Sequence, residues 1–199
     1  IDLNGRDLNT YPPRERAAAM AYLSQSAGTS FSFPVLDVVA MGRYPFLKRF
    51  KSEGHSDIEE ARRALAYVGL AGFEERHFTE LSSGEQQLVL FAQVLVQNTG
   101  IILLDEPTSN LDIKHRDLLF SMTEELAREK RAIIASVHNL NAASQYCSRL
   151  VLLSKGKKIA DGKPRDVLKP DLLDRVYDTE TAVTTNVSTG SLTVSVVHK

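Results

Sequence analysis

Cysteine is almost missing from this sequence: Cys147 stands alone among 199 residues. One thiol excludes an internal disulfide and fits a reducing compartment. No apolar run approaches the ~20 residues that cross a bilayer, and no secretory-signal pattern opens the sequence. Neither sign of charge prevails. The 24 Lys and Arg against 25 Asp and Glu leave a net charge of −1, so no global basic field points to nucleic acid. Repeats and low-complexity tracts are absent too. What remains is an ordinary globular composition, 43% hydrophobic and 25% charged. The length suffices for one sizeable domain with a real core and a small subdomain.

The most informative stretch is Ile101-Ile102-Leu103-Leu104-Asp105-Glu106-Pro107. Four large apolar residues without alternation predict a strand buried on both faces, as in a parallel sheet. Asp105 and Glu106 then stand at its carboxyl end, where ligands bind in open α/β sheets. By itself an Asp-Glu pair fits a strand surfacing into a polar loop equally well. Ala132 to Val137 predicts a second buried strand, with His138 at its carboxyl end. If the crossover between the two has the usual hand, His138 falls beside the carboxylates.

Upstream, Asn4-Gly5 marks a turn after a short strand, and Pro12-Pro13 opens an Ala-rich helix. Met20 to Ser24 reads as a strand ending at Gln25, which alone is as well explained as a loop amide. Residues 26–80 change to helical patterns. Pro34 to Met41 predicts a short helix broken by Arg43-Tyr44-Pro45, and Ser56 with Glu59 predicts a capping box for a helix that stops near Gly69. Leu81-Ser82-Ser83-Gly84-Glu85 leads a helix with Leu88, Phe91, Ala92 and Leu95 on one face. Ser82 and Glu85 form a capping box, and the same free N–H groups would suit a phosphate. Downstream, Ser109 to Asp112 is a polar turn whose aspartate caps the next helix. Lys155-Gly156 predicts a hairpin, residues 164–168 and 171–177 short helices, and Thr193 to Val197 an edge strand.

Taken together these pieces resemble the ATPase subunit of ABC transporters over nearly the whole chain. Leu81, Ser82, Ser83, Gly84 and Glu85 resemble the signature motif. Ile101 to Glu106 is similar to Walker B, and Ser109, Asn110, Leu111 and Asp112 to the D-loop. His138 resembles the switch histidine and Gln25 the Q-loop glutamine. The stretch Pro34 to Pro45 and the tail after Gly162 are similar to importers of iron-siderophores, haem, vitamin B12 and related chelates.

The resemblance implies a P-loop NTPase-type (RecA-like) α/β fold with a mostly parallel sheet. Residues 1–25 and 81–199 would form the core, and 26–80 an inserted helical subdomain against which the helix from about 82 packs. It implies ATP and Mg2+, with Asp105 and Gln25 on the metal, and Glu106, His138 and Gln25 catalytic. The signature residues would serve ATP held by the other subunit of a head-to-tail homodimer. The implied partners are a membrane permease and, through it, a substrate-binding protein, with no nucleic acid. The implied location is the cytoplasmic face of the cell membrane.

Three departures stand out. Ser83 occupies a usual glycine, Leu88 lies where a basic residue is frequent, and no Gly-x-x-x-x-Gly-Lys-Ser/Thr loop (Walker A) occurs. In the family that loop precedes the strand-turn at residues 1–6, so the expectation is an N-terminally truncated chain, inactive by itself. Two other classes stay open: a soluble ABC ATPase not coupled to transport, and a non-catalytic regulatory module that lacks Walker A.

Overall fold

The computed structural model describes residues 1–25, 32–47, 54–109 and 111–197. The chain divides into two compact units, Ile1–Ser136 and Val137–Lys199.

The first unit opens with a two-stranded turn, β1 (Asp2–Leu3) and β2 (Arg6–Asp7), joined by Asn4 and Gly5 at positive φ. Asparagine and glycine are the residues that tolerate that region. Helix α1 (Pro13–Ala19) starts on its proline and runs straight into strand β3 (Met20–Leu23). Two strands complete a parallel sheet in the order β3-β4-β5: β4 (Ile101–Asp105) in the middle and β5 (Ala132–Ser136) beside it. The register pairs Leu23 with Leu104 and Asp105 with Ser136.

Only one face of this sheet is deeply buried. Ala21, Leu23, Ile102 and Leu104 join the main core, whereas Tyr22 is 58% and Ile134 64% exposed. Burial on both faces, expected from the unbroken apolar runs, is therefore corrected. A run of aliphatic residues shows that a strand is apolar, but not which faces other elements cover.

The helices between the strands supply the other side of that core. They are α2 (Val35–Ala40), α3 (His55–Tyr67), α4 (Ser83–Val96) and α5 (Ile113–Arg128). The short helix ends as expected, its chain tightening after Ala40 into a 3-10 turn, Met41–Phe46, which accommodates Pro45. Two local expectations need correction. Helix α3 begins two residues earlier than a Ser56 cap predicts. Gly54 is its N-cap, and the Asp57 carboxylate, not Glu59, accepts the Gly54 N–H at 3.1 Å. Glu59 instead faces Arg62 at 3.7 Å. Helix α4 is buried nearly all round, Leu88 included, so it is a core helix rather than a one-faced one.

The 3-10 turn after α2 approaches α4 very closely. At Gly42 an added Cβ would lie 2.6 Å from Val96 Cγ2 and closer still to the Gln93 carbonyl. Next to it, the Arg43 guanidinium donates to Asp57 Oδ1 and to the Val96 carbonyl, each at 2.9 Å, and lies over the Phe46 ring. That ion pair, then the Gly54 N–H, holds the Asp57 carboxyl below the usual carboxylate range. At the C-terminal end of α4, Gln97 Nε2 donates to the carbonyls of Ala17 and Met20, tying the helix to β3.

The second unit contains α6 (Leu140–Tyr146) and the hairpin β6 (Leu150–Ser154) and β7 (Lys157–Gly162). Helices α7 (Pro164–Val167) and α8 (Pro170–Tyr177) follow, then the strand pair β8 (Thr181–Thr185) and β9 (Leu192–Val196). The expected hairpin, short helices and edge strand are all present. Lys155 and Gly156 both take positive φ, the type I′ geometry that matches strand twist. Its core is Leu152, Val167, Leu168 and Leu173.

Two measurements test this packing. Gly42→Val forces the 3-10 turn away from the unyielding Gln93 carbonyl of α4, and should cost about 2–3 kcal/mol, read as a lower urea midpoint. Ser82→Ala removes the α4 N-cap and should cost about 1 kcal/mol. The Ser82 hydroxyl, then its N–H, keeps the Glu85 carboxyl below its ordinary value. A depressed folded pKa stabilises above the unfolded value of ~4.3 and fades as pH falls through the folded one. An NMR titration of the Ser82→Ala protein should show Glu85 titrating at higher pH than in the parent.

Candidate active site

The carboxyl ends of β3, β4 and β5 lie side by side, and each contributes polar groups. Asp105 ends β4. Glu106 follows at φ 45°, a left-handed conformation rare for a residue with a side chain. Its carbonyl accepts the Ser109 N–H at 3.2 Å, which starts the turn toward Leu111 and Asp112. From the end of β3, Gln25 Nε2 donates to Glu106 Oε2 at 2.7 Å. Two residues from distant parts of the sequence, each ambiguous alone, are thus in direct contact.

Two residues that sequence reasoning passed over also meet the carboxylates. Ser136 Oγ donates to Asp105 Oδ1 at 2.6 Å and accepts the Glu106 N–H at 2.8 Å. Tyr22 Oη donates to Asp105 Oδ2 at 3.2 Å. Partial desolvation, then the Asp105 charge, raises the Tyr22 phenol above its ordinary value, so it remains a donor. Their available signal was a polar atom on an otherwise apolar strand, visible at Ser136 and hidden in the amphipathic Tyr22.

The other expected site residues fall as follows. Ser82 is the exposed N-cap of α4; its Oγ accepts the Glu85 N–H at 3.3 Å, and Glu85 Oε2 accepts the Ser82 N–H at 2.8 Å. Ser83 is exposed in the first turn, Gly84 is half-buried and Leu81 is buried. Asp112 caps α5 through the His115 N–H at 2.8 Å and lies 2.9 Å from His115 Nδ1. Leu111 packs against the main core and Ser109 is exposed, while Asn110 lies outside the described residues. His138 is exposed and belongs to the second unit, two residues beyond Ser136. Ser136, not His138, is the residue in register with Asp105.

The donor set suits a hard cation. Asp105 offers a carboxylate and Gln25 an amide oxygen, and no group of three or more His, Cys, Asp or Glu among the described residues could cage a metal alone. Mg2+ is the ion that works with one carboxylate plus water and substrate phosphates. No helix of the described residues is long and apolar enough to cross a membrane.

Comparison with known proteins agrees with this geometry. Residues 1–109 match the family described as ABC transporter. The chain is 38% identical over 192 residues to the cobalamin import ATP-binding protein BtuD of Halobacterium salinarum, covering 96% of this chain and 48% of that protein. It therefore spans about half of that relative's length. It is 40% identical over 199 residues to the hemin import ATP-binding protein HmuV of Rhodopseudomonas palustris, covering 96% of this chain and 73% of that one. A solved metal-chelate type ABC transporter in an inward-facing conformation superposes with a TM-score of 0.82 at 27% identity, over 91% of this chain and 73% of that one. The fold is therefore that of ABC ATPase cassettes, and the chain belongs to the ABC transporter family.

Proposed function

We propose that this chain is part of the ATP-binding, ATP-hydrolysing subunit of an importer for a metal chelate such as cobalamin, haem or an iron-siderophore. The observation that carries the reading is the Asp105-Glu106 pair at the end of the middle strand, with the Gln25 amide 2.7 Å from Glu106. Its similarity to cobalamin and hemin import proteins supports the class of cargo.

Hydrolysis of a phosphoanhydride by water needs phosphate charge neutralised and a water aimed in line. Asp105 and Gln25 would hold Mg2+, which supplies the charge neutralisation. Glu106 accepts the proton of the attacking water as general base. The Gln25 amide engages Oε2 of Glu106 and orients the carboxylate. His138 contacts the γ-phosphate. Leu81 to Glu85 presents an exposed helix N-terminus, with two hydroxyls, to ATP carried by the second copy of a head-to-tail homodimer. Asp112, in the D-loop, couples the two sites. Residues 26–80 form the helical subdomain that docks a membrane permease, through which a substrate-binding protein is served. The subunit then works on the cytoplasmic face of the membrane.

The test is Glu106→Gln in the full gene product. Phosphate release should fall at least about 100-fold, while equilibrium binding of a fluorescent ATP analogue persists. Turnover within twofold of the parent sinks the reading.

A further inference from the structure

We propose that Ser136 and Tyr22 are positioning residues that set the spacing and orientation of the two site carboxylates. The inference rests on the hydrolytic reading above and deepens it.

The backbone at Glu106 is left-handed. Its φ of 45° is costly for a residue with a Cβ, and such a conformation persists only where the surroundings over-determine it. Both polar groups of its backbone are held: the Ser109 N–H donates to its carbonyl, and its own N–H donates to Ser136 Oγ. A serine hydroxyl has one proton to give. Here that proton goes to Asp105 Oδ1 at 2.6 Å, while the oxygen accepts Glu106 N–H at 2.8 Å. The direction of both hydrogen bonds is thereby fixed, and one oxygen atom ties the metal-side carboxylate to the peptide that aims the water-side one.

Strand register supplies the position. Asp105 pairs with Ser136 across the β4–β5 ladder, so the hydroxyl is delivered by the sheet, not by a loop. Tyr22, one strand away on the other side, takes the second oxygen of the same carboxylate at 3.2 Å. Asp105 is held by a hydroxyl on each oxygen, which leaves the carboxylate little freedom to rotate. A carboxylate fixed in this way presents its remaining lone pairs to a cation without reorganising, the condition under which electrostatic stabilisation is most effective.

The experiment uses the full gene product and measures steady-state ATP hydrolysis across Mg2+ concentrations. Ser136→Ala should lower kcat about tenfold or more, as expected for losing hydrogen bonds to a charged group. Its KM for ATP should stay within about twofold, and its half-saturating Mg2+ should rise. Ser136→Thr keeps the hydroxyl in a strand that favours β-branched residues and should recover most of the rate. Tyr22→Phe, which leaves the Glu106 peptide alone, should raise half-saturating Mg2+. The thermal midpoint of each variant separates positioning from folding.

Parent-like kcat and Mg2+ dependence in Ser136→Ala overturn the proposal, as does a threonine variant as slow as alanine. If the alanine protein does not fold, an unchanged Mg2+ requirement in Tyr22→Phe, or a slow threonine variant, still overturns it. Glu106→Gln in the same assay distinguishes the two levels. If it abolishes turnover while Ser136→Ala has no effect, only the positioning role falls. If it leaves turnover intact, the hydrolytic reading falls, and this inference with it.

Discussion

The β3-β4-β5 register is the constraint on which the first unit depends. Parallel pairing brings three carboxyl ends to one edge, so Gln25, Asp105 and Ser136 are neighbours although the sequence separates them widely. A one-residue slip would turn each strand's side chains to the opposite face. It would expose Ile102 and Leu104, now 1% and 3% accessible, and separate the Ser136 hydroxyl from Asp105. The burial that stabilises the sheet and the geometry that organises the site are thus enforced by the same pairing.

The helical layer follows from the same economy. Helix α4 has little polar surface left along its length, because residues from Gln87 to Val96 are mostly buried. Its polar function is concentrated at its N-terminus, where Ser82 and Glu85 satisfy each other's backbone N–H groups. The Leu88 side chain lies in the core of this chain at 1% exposure. A charge there would need its own compensation in an apolar setting. The Tyr67 hydroxyl donates to the Glu125 carboxylate, linking α3 to α5 across the same layer.

Much of this was legible because the signals were local. The Asn4-Gly5 and Lys155-Gly156 turns carry residues suited to positive φ, and both occur as expected. Pro13 and Pro164 mark helix starts, and Asp112 caps α5. Asp105 and Glu106 announced themselves as charges after an apolar run. The misses were non-local. Ser56 and Glu59 have the right spacing for a cap, but Asp57 is drawn to Arg43 and Gly54, and the helix starts earlier. Ser136 and Tyr22 were read as strand residues, because their partners lie on another strand and only the register reveals them. Which face of β5 is covered is likewise a property of the packing, not of Ala132 to Ser136.

The Gly42 contact has a mechanical consequence. It grips α4 at Gln93 and Val96, near one end, while Ser82 caps the other. Fourteen helical residues make a rod of roughly 20 Å. A tilt of about 10° around that grip would sweep the Ser82 end through roughly 3–4 Å, more than a hydrogen bond tolerates. The glycine is the fulcrum and the buried helix the lever arm. A small push on the 3-10 turn would thereby be amplified into a larger displacement of the Ser82 hydroxyl.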